Sequence, residues 1–211
     1  MAPQLSEDEI DDLLYTARTG DNEELSRLLS ELSNREKTTP ADILTYARDE
    51  GKSTCLHMAT GNGHVDTINL LLSHFSTAPA AQKQAFVDAA NEYGNTGLHW
   101  AALGGHLAAV RLLVEEGGAS VALANDKNYV PLDLASFGDK VEVVDYFLKR
   151  SEGMEEENAA GSAGESGGLE KAVEGVELGD GDAEEVNGEE GEGKGKGKEK
   201  VVDGQKEGGS S

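Results

Sequence analysis

Four of the five histidines fall in two pairs of equal spacing, His57 with His64 and His99 with His106. Imidazoles at a fixed separation are what a zinc or copper site needs, and Cys55, two residues before the first, could serve as a metal ligand or as a nucleophile beside a base. Two glycine-rich stretches, Gly61-Asn62-Gly63 and Gly104-Gly105, resemble phosphate-cradling loops. Each of these chemistries lacks a part. Cys55 is the only cysteine, so no CxxC spacing exists and no internal disulfide can form. The glycines are not followed by the Lys-Ser/Thr that phosphates require. No Ser-His-Asp or Cys-His set has a supporting architecture, and with 41 acidic residues a carboxylate pair says nothing. The sequence therefore predicts a binding protein without catalytic residues, metal ligands or cofactor.

The histidines recur because the segment around them recurs. Thr54-Cys55-Leu56-His57-Met58-Ala59-Thr60-Gly61-Asn62-Gly63-His64 aligns with Thr96-Gly97-Leu98-His99-Trp100-Ala101-Ala102-Leu103-Gly104-Gly105-His106, and Val130-Pro131-Leu132-Asp133-Leu134-Ala135-Ser136-Phe137-Gly138-Asp139-Lys140 is a third copy. Each is followed by aliphatics at helical spacing: Val65, Ile68, Leu71 and Leu72; then Leu107, Val110, Leu112 and Leu113; then Val141, Val143, Val144, Phe147 and Leu148. Leu98 and Leu132 are 34 residues apart, whereas Leu56 and Leu98 are 42 apart. Against a 33-residue period the longer interval holds an insertion of about nine residues, placed within 73–90. Thr77-Ala78-Pro79-Ala80 starts a helix there, and 82–90 can continue it.

A degenerate repeat comes first. Ser6 and Glu9 form a capping box, Ile10, Leu13, Leu14 and Ala17 line one helical face, Gly20 ends that helix, and Asp21 caps a second carried by Leu25, Leu28, Leu29 and Leu32. A short helix opens at Thr39-Pro40 and runs through Tyr46. The fold class is all-α: a solenoid of about four helix pairs with short finger turns and one lengthened insertion, followed by an acidic tail.

The composition changes at Arg150. Residues 151–211 hold 18 Asp and Glu against 6 Lys, with dense Gly and Ser and no aromatic residue. Such a segment cannot bury enough apolar surface to offset ~1–2 kcal/mol of backbone entropy per ordered residue. The expected organisation is a repeat domain over 5–150 and a disordered acidic Gly-rich tail over 151–211. The net charge of −23 disfavours direct contact with nucleic acid or anionic membranes and favours a basic protein partner. The N-terminus is acidic and reads as neither signal nor transit peptide, and no apolar run reaches membrane length. Cytoplasmic and nuclear localisation and a monomeric state are the expectations.

The recurring Thr-x-Leu-His…Gly-His signature resembles the ankyrin-repeat family. That resemblance implies a partner surface on the concave side, made of the fingers before each motif and the exposed positions of each first helix. Carried over by position, the partner-binding candidates are Glu50, Met58 and Asn62; Glu92, Tyr93, Asn95, Trp100 and Leu103; and Asp126, Tyr129, Leu134 and Phe137. The framework requires no large aromatics there, yet Tyr93, Trp100, Tyr129 and Phe137 gather at those positions, with Glu50, Glu92 and Asp126 around them. Aromatic anchors dominate protein interfaces. The motif histidines His57 and His99 are expected to bond backbone groups, with Asp133 departing from the pattern in the last copy.

Several segments are more specific. The short acidic start, Ala17-Arg18-x-Gly20-Asp21, Leu56-His57-Met58-Ala59, the long insertion, Gly94-Asn95-Thr96-Gly97-Leu98-His99-Trp100-Ala101, Tyr146-Phe147-Leu148-Lys149 and the charged tail together resemble the fungal ankyrin-repeat chaperones of small-subunit ribosomal protein 3. The resemblance implies a non-enzymatic chaperone that protects that basic, newly made protein and escorts it to small-subunit assembly. A generic ankyrin adaptor for another protein, or an acidic-tail chaperone of other basic proteins, stands as the alternative.

Overall fold

Helix α1 (Glu7–Thr19) begins where Ser6 and Glu9 exchange the predicted capping-box hydrogen bonds. It ends at Gly20 in the left-handed region, φ 76°. Asp21 then caps α2 (Asn22–Glu36) through the Glu24 N–H at 3.1 Å. The computed structural model describes residues 2–162, with side chains through residue 151. After α3 (Pro40–Tyr46), whose Thr39–Asp42 capping box is also formed, come α4 (Cys55–Gly61), α5 (Val65–Ser73), α6 (Ala80–Val87), α7 (Gly97–Gly104), α8 (Leu107–Arg111), α9 (Pro131–Phe137) and α10 (Val141–Ser162). Helix α10 runs past Arg150, the expected domain boundary, and the rest of the acidic tail lies outside the described residues.

The helices pair as α1/α2, α4/α5, α7/α8 and α9/α10, the predicted four. The first helices, α1, α4, α7 and α9, pack on one another in sequence to make a front row; α2, α5, α8 and α10 stand behind it. The core lies between the rows. Leu13, Leu25, Leu29, Leu56, Ile68, Leu71, Leu98 and Leu113 are all fully buried, and Ala59, Ala101 and Ala135 are the small residues where neighbouring helices meet. No hairpin could cover its own apolar face alone; stacking supplies the cover.

The insertion is a helix with a packing role. Phe86 on α6 stacks on Phe75 at 4.4 Å and 18°, and both rings are buried. Gln82 reaches back to Asp42 in the first turn of α3, while Lys83 and Gln84 reach forward to the carbonyls of Glu116 and Gly118. Those carbonyls lie at the end of a feature the periodicity did not predict: α8 passes into a π-helical stretch, Leu112–Gly117, capped by Gly118. Leu112, Leu113 and Val114 are consecutive and all buried. Three successive residues span ~200° of a helix, too wide for one face. The stretch meets α5 and α6, so apolar surface meets it on more than one side.

Cys55 is fully enclosed, with its thiol 3.6 Å from the Leu13 carbonyl. Desolvation pushes its pKa up to about 12. The native chain should therefore resist a disulfide reagent such as DTNB, reacting on the order of 10³-fold more slowly than the chain unfolded in guanidinium. Comparable rates in the two states would show that this core opens freely.

Candidate functional site

The fingers are organised by side chains at their first residues. Asp49 Oδ1 accepts the Ser53 N–H at 2.7 Å. Asn91 Oδ1 accepts the N–H groups of Tyr93 and Asn95, both at 3.0 Å, and Asn125 Oδ1 accepts those of Lys127 and Tyr129, both at 3.0 Å. Successive fingers are then tied to each other: Glu92 N–H donates to the Gly51 carbonyl at 2.8 Å and Asp126 N–H to the Tyr93 carbonyl at 3.1 Å. A backbone fixed from both ends presents its side chains without further ordering cost, which favours binding.

The motif histidines connect fingers to helices. His57 Nδ1 accepts the Thr54 N–H at 3.1 Å, with the Thr54 hydroxyl at 3.0 Å. A backbone N–H can only donate, so Nδ1 is bare and the proton sits on Nε2. From there it is donated to the Asn95 carbonyl in the next finger, at 2.9 Å. His99 repeats the pattern, taking the Thr96 N–H at 3.1 Å and donating to the Tyr129 carbonyl at 3.1 Å. Burial lowers the pKa of both and keeps them neutral. Asp133 performs the first half alone, accepting the Val130 N–H at 2.9 Å. A carboxylate cannot donate onward, and among the described residues no further finger follows this repeat to receive a bond.

His64 and His106 face the other way. Their Nε2 atoms lie 2.9 Å from the Arg18 carbonyl and 3.0 Å from the Gly61 carbonyl, closing the C-terminal ends of the preceding front helices. The His106 ring occupies the place a Cβ on Gly63 would take, 2.6 Å away, at a residue whose φ is 72°. Gly63→Ala should cost ~2–4 kcal/mol in a chemical melt, from the left-handed strain and the ring's displacement together; a change under ~0.5 kcal/mol would contradict this packing. Spacing alone suggested a metal pair; the structure gives each of these four rings a backbone carbonyl instead. Among the described residues no cluster of three His, Cys, Asp or Glu is arranged to hold a metal ion, and no described helix is long and apolar enough to cross a membrane.

Seven of the twelve candidates come together. Tyr93, Asn95, Leu103, Asp126, Tyr129, Leu134 and Phe137 line one groove of about 360 Å³ between the last two fingers and the front helices α7 and α9. Tyr93 and Phe137 are each 63% exposed and Tyr129 37%. Tyr129 meets Phe137 edge to face at 4.9 Å and 81°. The Glu92 carboxylate beside the Tyr93 hydroxyl raises that phenol's pKa. Asn125 and Lys127, which adjoin Asp126 on the same finger, complete the lining.

The other five are not part of this lining. Glu50 borders a separate cavity of about 570 Å³ with Glu7, Ile10, Asp11, Arg48 and Asp49. Glu92 is exposed on its finger, and Asn62 is exposed while donating to the Met58 carbonyl. Met58 is half-buried against the core. Trp100 is half-buried too, edge-on to His57 at 5.7 Å, with its ring over Gly61 where a Cβ would come within 2.8 Å. Within the groove, Asn95 has structural duties, receiving His57 on its carbonyl and the Asn125 amide on its Oδ1 at 2.8 Å.

The ankyrin repeat profile matches residues 52–83, and a profile of three ankyrin repeats matches 76–158. The ankyrin repeat-containing protein YAR1 of Saccharomyces cerevisiae is 32% identical over 147 residues, covering 69% of this chain and 71% of the yeast protein. Zebrafish inversin is 39% identical over 69 residues, only 6% of its length. Among solved structures, the complex of the yeast ribosomal protein Rps3 with its chaperone Yar1 contains a chain similar to this one, with 35% identity, a TM-score of 0.60, and coverage of 70% of this chain and 95% of that one.

Proposed function

We propose, from the premise that this chain belongs to the ankyrin-repeat family, that it is a chaperone of small-subunit ribosomal protein 3. It holds that basic protein in soluble form after synthesis and hands it over at small-subunit assembly. The observation that carries this reading is the likeness to the chaperone in the Rps3 complex, which extends over 95% of that chain and therefore includes its fingers as well as its stacked helices. The physics points the same way. Free ribosomal proteins carry positive surface made for RNA, and a chain of net charge −23 competes for it. Holding is passive; no nucleotide hydrolysis or covalent step enters, and release follows from competition by the assembling ribosome.

The partner surface is the finger and front-helix side, with Tyr93, Tyr129 and Phe137 as anchors and Glu50, Glu92 and Asp126 as charged surroundings. The tail raises the encounter rate. Such work places the protein in both cytoplasm and nucleus. A generic adaptor reading has one observation in its favour: within the aromatic groove Asp126 is offset by Lys127, so the groove alone does not demand a basic ligand.

Salt separates the two readings. Affinity for purified ribosomal protein 3, measured by calorimetry, should fall ~10-fold or more between ~50 and ~500 mM NaCl. Truncation after Ser162, which removes 14 acidic and 6 basic residues, should lower the association rate more than it raises the dissociation rate. Salt-independent binding favours the adaptor, and no binding at low salt rejects the chaperone reading.

A further inference from the structure

We infer that one segment of the basic partner lies along all four repeats, reaching Tyr15 on α1, and that the two ends of this surface read different chemistry. The inference rests on the chaperone reading above. Its geometric basis is the register of the front helices. The turn after each holds one residue with positive φ, Gly20, Gly63, Gly105 and Asp139, at 76°, 72°, 76° and 53°, and the N–H of the next residue donates in every case to the carbonyl five residues earlier. Counting five back from each gives Tyr15, Met58, Trp100 and Leu134, one row across helices that pack successively. The first repeat lacks the Thr-x-Leu-His motif, so motif alignment overlooks Tyr15; the left-handed residues place it. Tyr15 is 66% exposed, at the opposite end of this row from Leu134, which lines the aromatic groove.

The ends of the row differ in charge. Beside α1 and the first finger, the larger cavity sets the carboxylates of Glu7, Asp11, Asp49 and Glu50 against one guanidinium, Arg48, over Ile10. At the other end the groove is aromatic, with one acid and one lysine in balance. Complementarity then fixes the occupant: a stretch of the basic partner whose Lys or Arg side chains sit against repeats one and two and whose apolar side chains fill the groove of repeats three and four. Front helices packed ~8–10 Å apart make three steps of ~25–30 Å, the reach of roughly eight or nine extended residues.

The test uses the full chain with purified ribosomal protein 3 as the probe. Tyr15→Ala should lower affinity ~10-fold with unchanged circular dichroism, Tyr15→Phe should stay within ~3-fold, and Leu148→Ala, exposed on the back helix α10, should bind as wild type. The triple change Glu7→Gln, Asp11→Asn and Glu50→Gln should flatten the salt dependence, while Tyr93→Ala with Phe137→Ala should weaken binding at every salt concentration without changing its slope. If wild type binds but Tyr15→Ala equals it, or both sets change the slope alike, the two-ended surface is wrong. If wild type itself does not bind, the chaperone reading falls and the inference with it.

Discussion

Replacing Tyr93, Tyr129 and Phe137 together by alanine should remove the proposed binding of ribosomal protein 3, a loss of at least ~100-fold, while helicity and the thermal midpoint stay close to wild type. The magnitude follows from anchor energetics: a single buried aromatic hot spot is worth ~2 kcal/mol or more, and two such losses without full additivity already exceed ~2.7 kcal/mol, or ~100-fold. The tolerance of the fold follows from exposure. Tyr93 and Phe137 already lie 63% in water, and the main packing these rings give up is the edge-to-face pair that Tyr129 and Phe137 make with each other. Trp100→Ala belongs to a different class. Its ring fills the space over Gly61 and touches His57, so its removal should lower stability before it says anything about the partner. Calorimetric titration beside a thermal melt distinguishes the classes. Unchanged affinity in the triple variant would move the partner off this face.

Much of this architecture is legible in residue types. Ser6, Gly20, Asp21 and Thr39 each mark a helix boundary because capping and left-handed φ are local requirements, satisfied within a few residues of sequence. The groove was legible for a related reason: the repeat fixes which positions the framework leaves free, so a Tyr or Phe there stands out. The rest depends on neighbours distant in sequence. The π-helical stretch arises where α6, an insertion without a counterpart in the other repeats, meets Leu112–Gly117; only Leu112-Leu113-Val114, three apolar residues running, hints at it. Trp100 looked free to meet a partner, yet it is half-buried because the residue facing it is Gly61, 39 positions earlier. Tyr15 escaped notice because the first repeat keeps the left-handed glycine and loses the motif.

His99→Ala should be strongly destabilising, ~3–5 kcal/mol by chemical denaturation, against ~1–2 kcal/mol for His106→Ala. The imidazole of His99 is fully buried and serves two backbone groups; without it the Thr96 N–H and the Tyr129 carbonyl each lose a partner, at ~1–3 kcal/mol apiece where burial keeps water out, and a cavity remains. His106 is half-buried and serves one carbonyl. A repeat domain of ~5–15 kcal/mol total stability feels the first change as a large fraction. The same burial sets a pH dependence. His57 and His99 titrate in the folded chain below their ordinary 6.5, because desolvation disfavours the imidazolium, and half-buried His74 shifts the same way. As pH falls past about 6.5 the unfolded chain takes up protons that the folded chain refuses, so stability is full above that value and declines below it, by up to ~1.4 kcal/mol per pH unit for each histidine. His99→Ala removes one of these protons and should make the decline shallower; an unchanged slope would mean that the ring is not held neutral. The bond from His99 ends on Tyr129, the residue at the base of the last finger and in the groove. A chain that keeps its helices after losing this bond should therefore bind its partner more weakly, because the finger carrying an aromatic anchor has lost its tie to the repeat behind it.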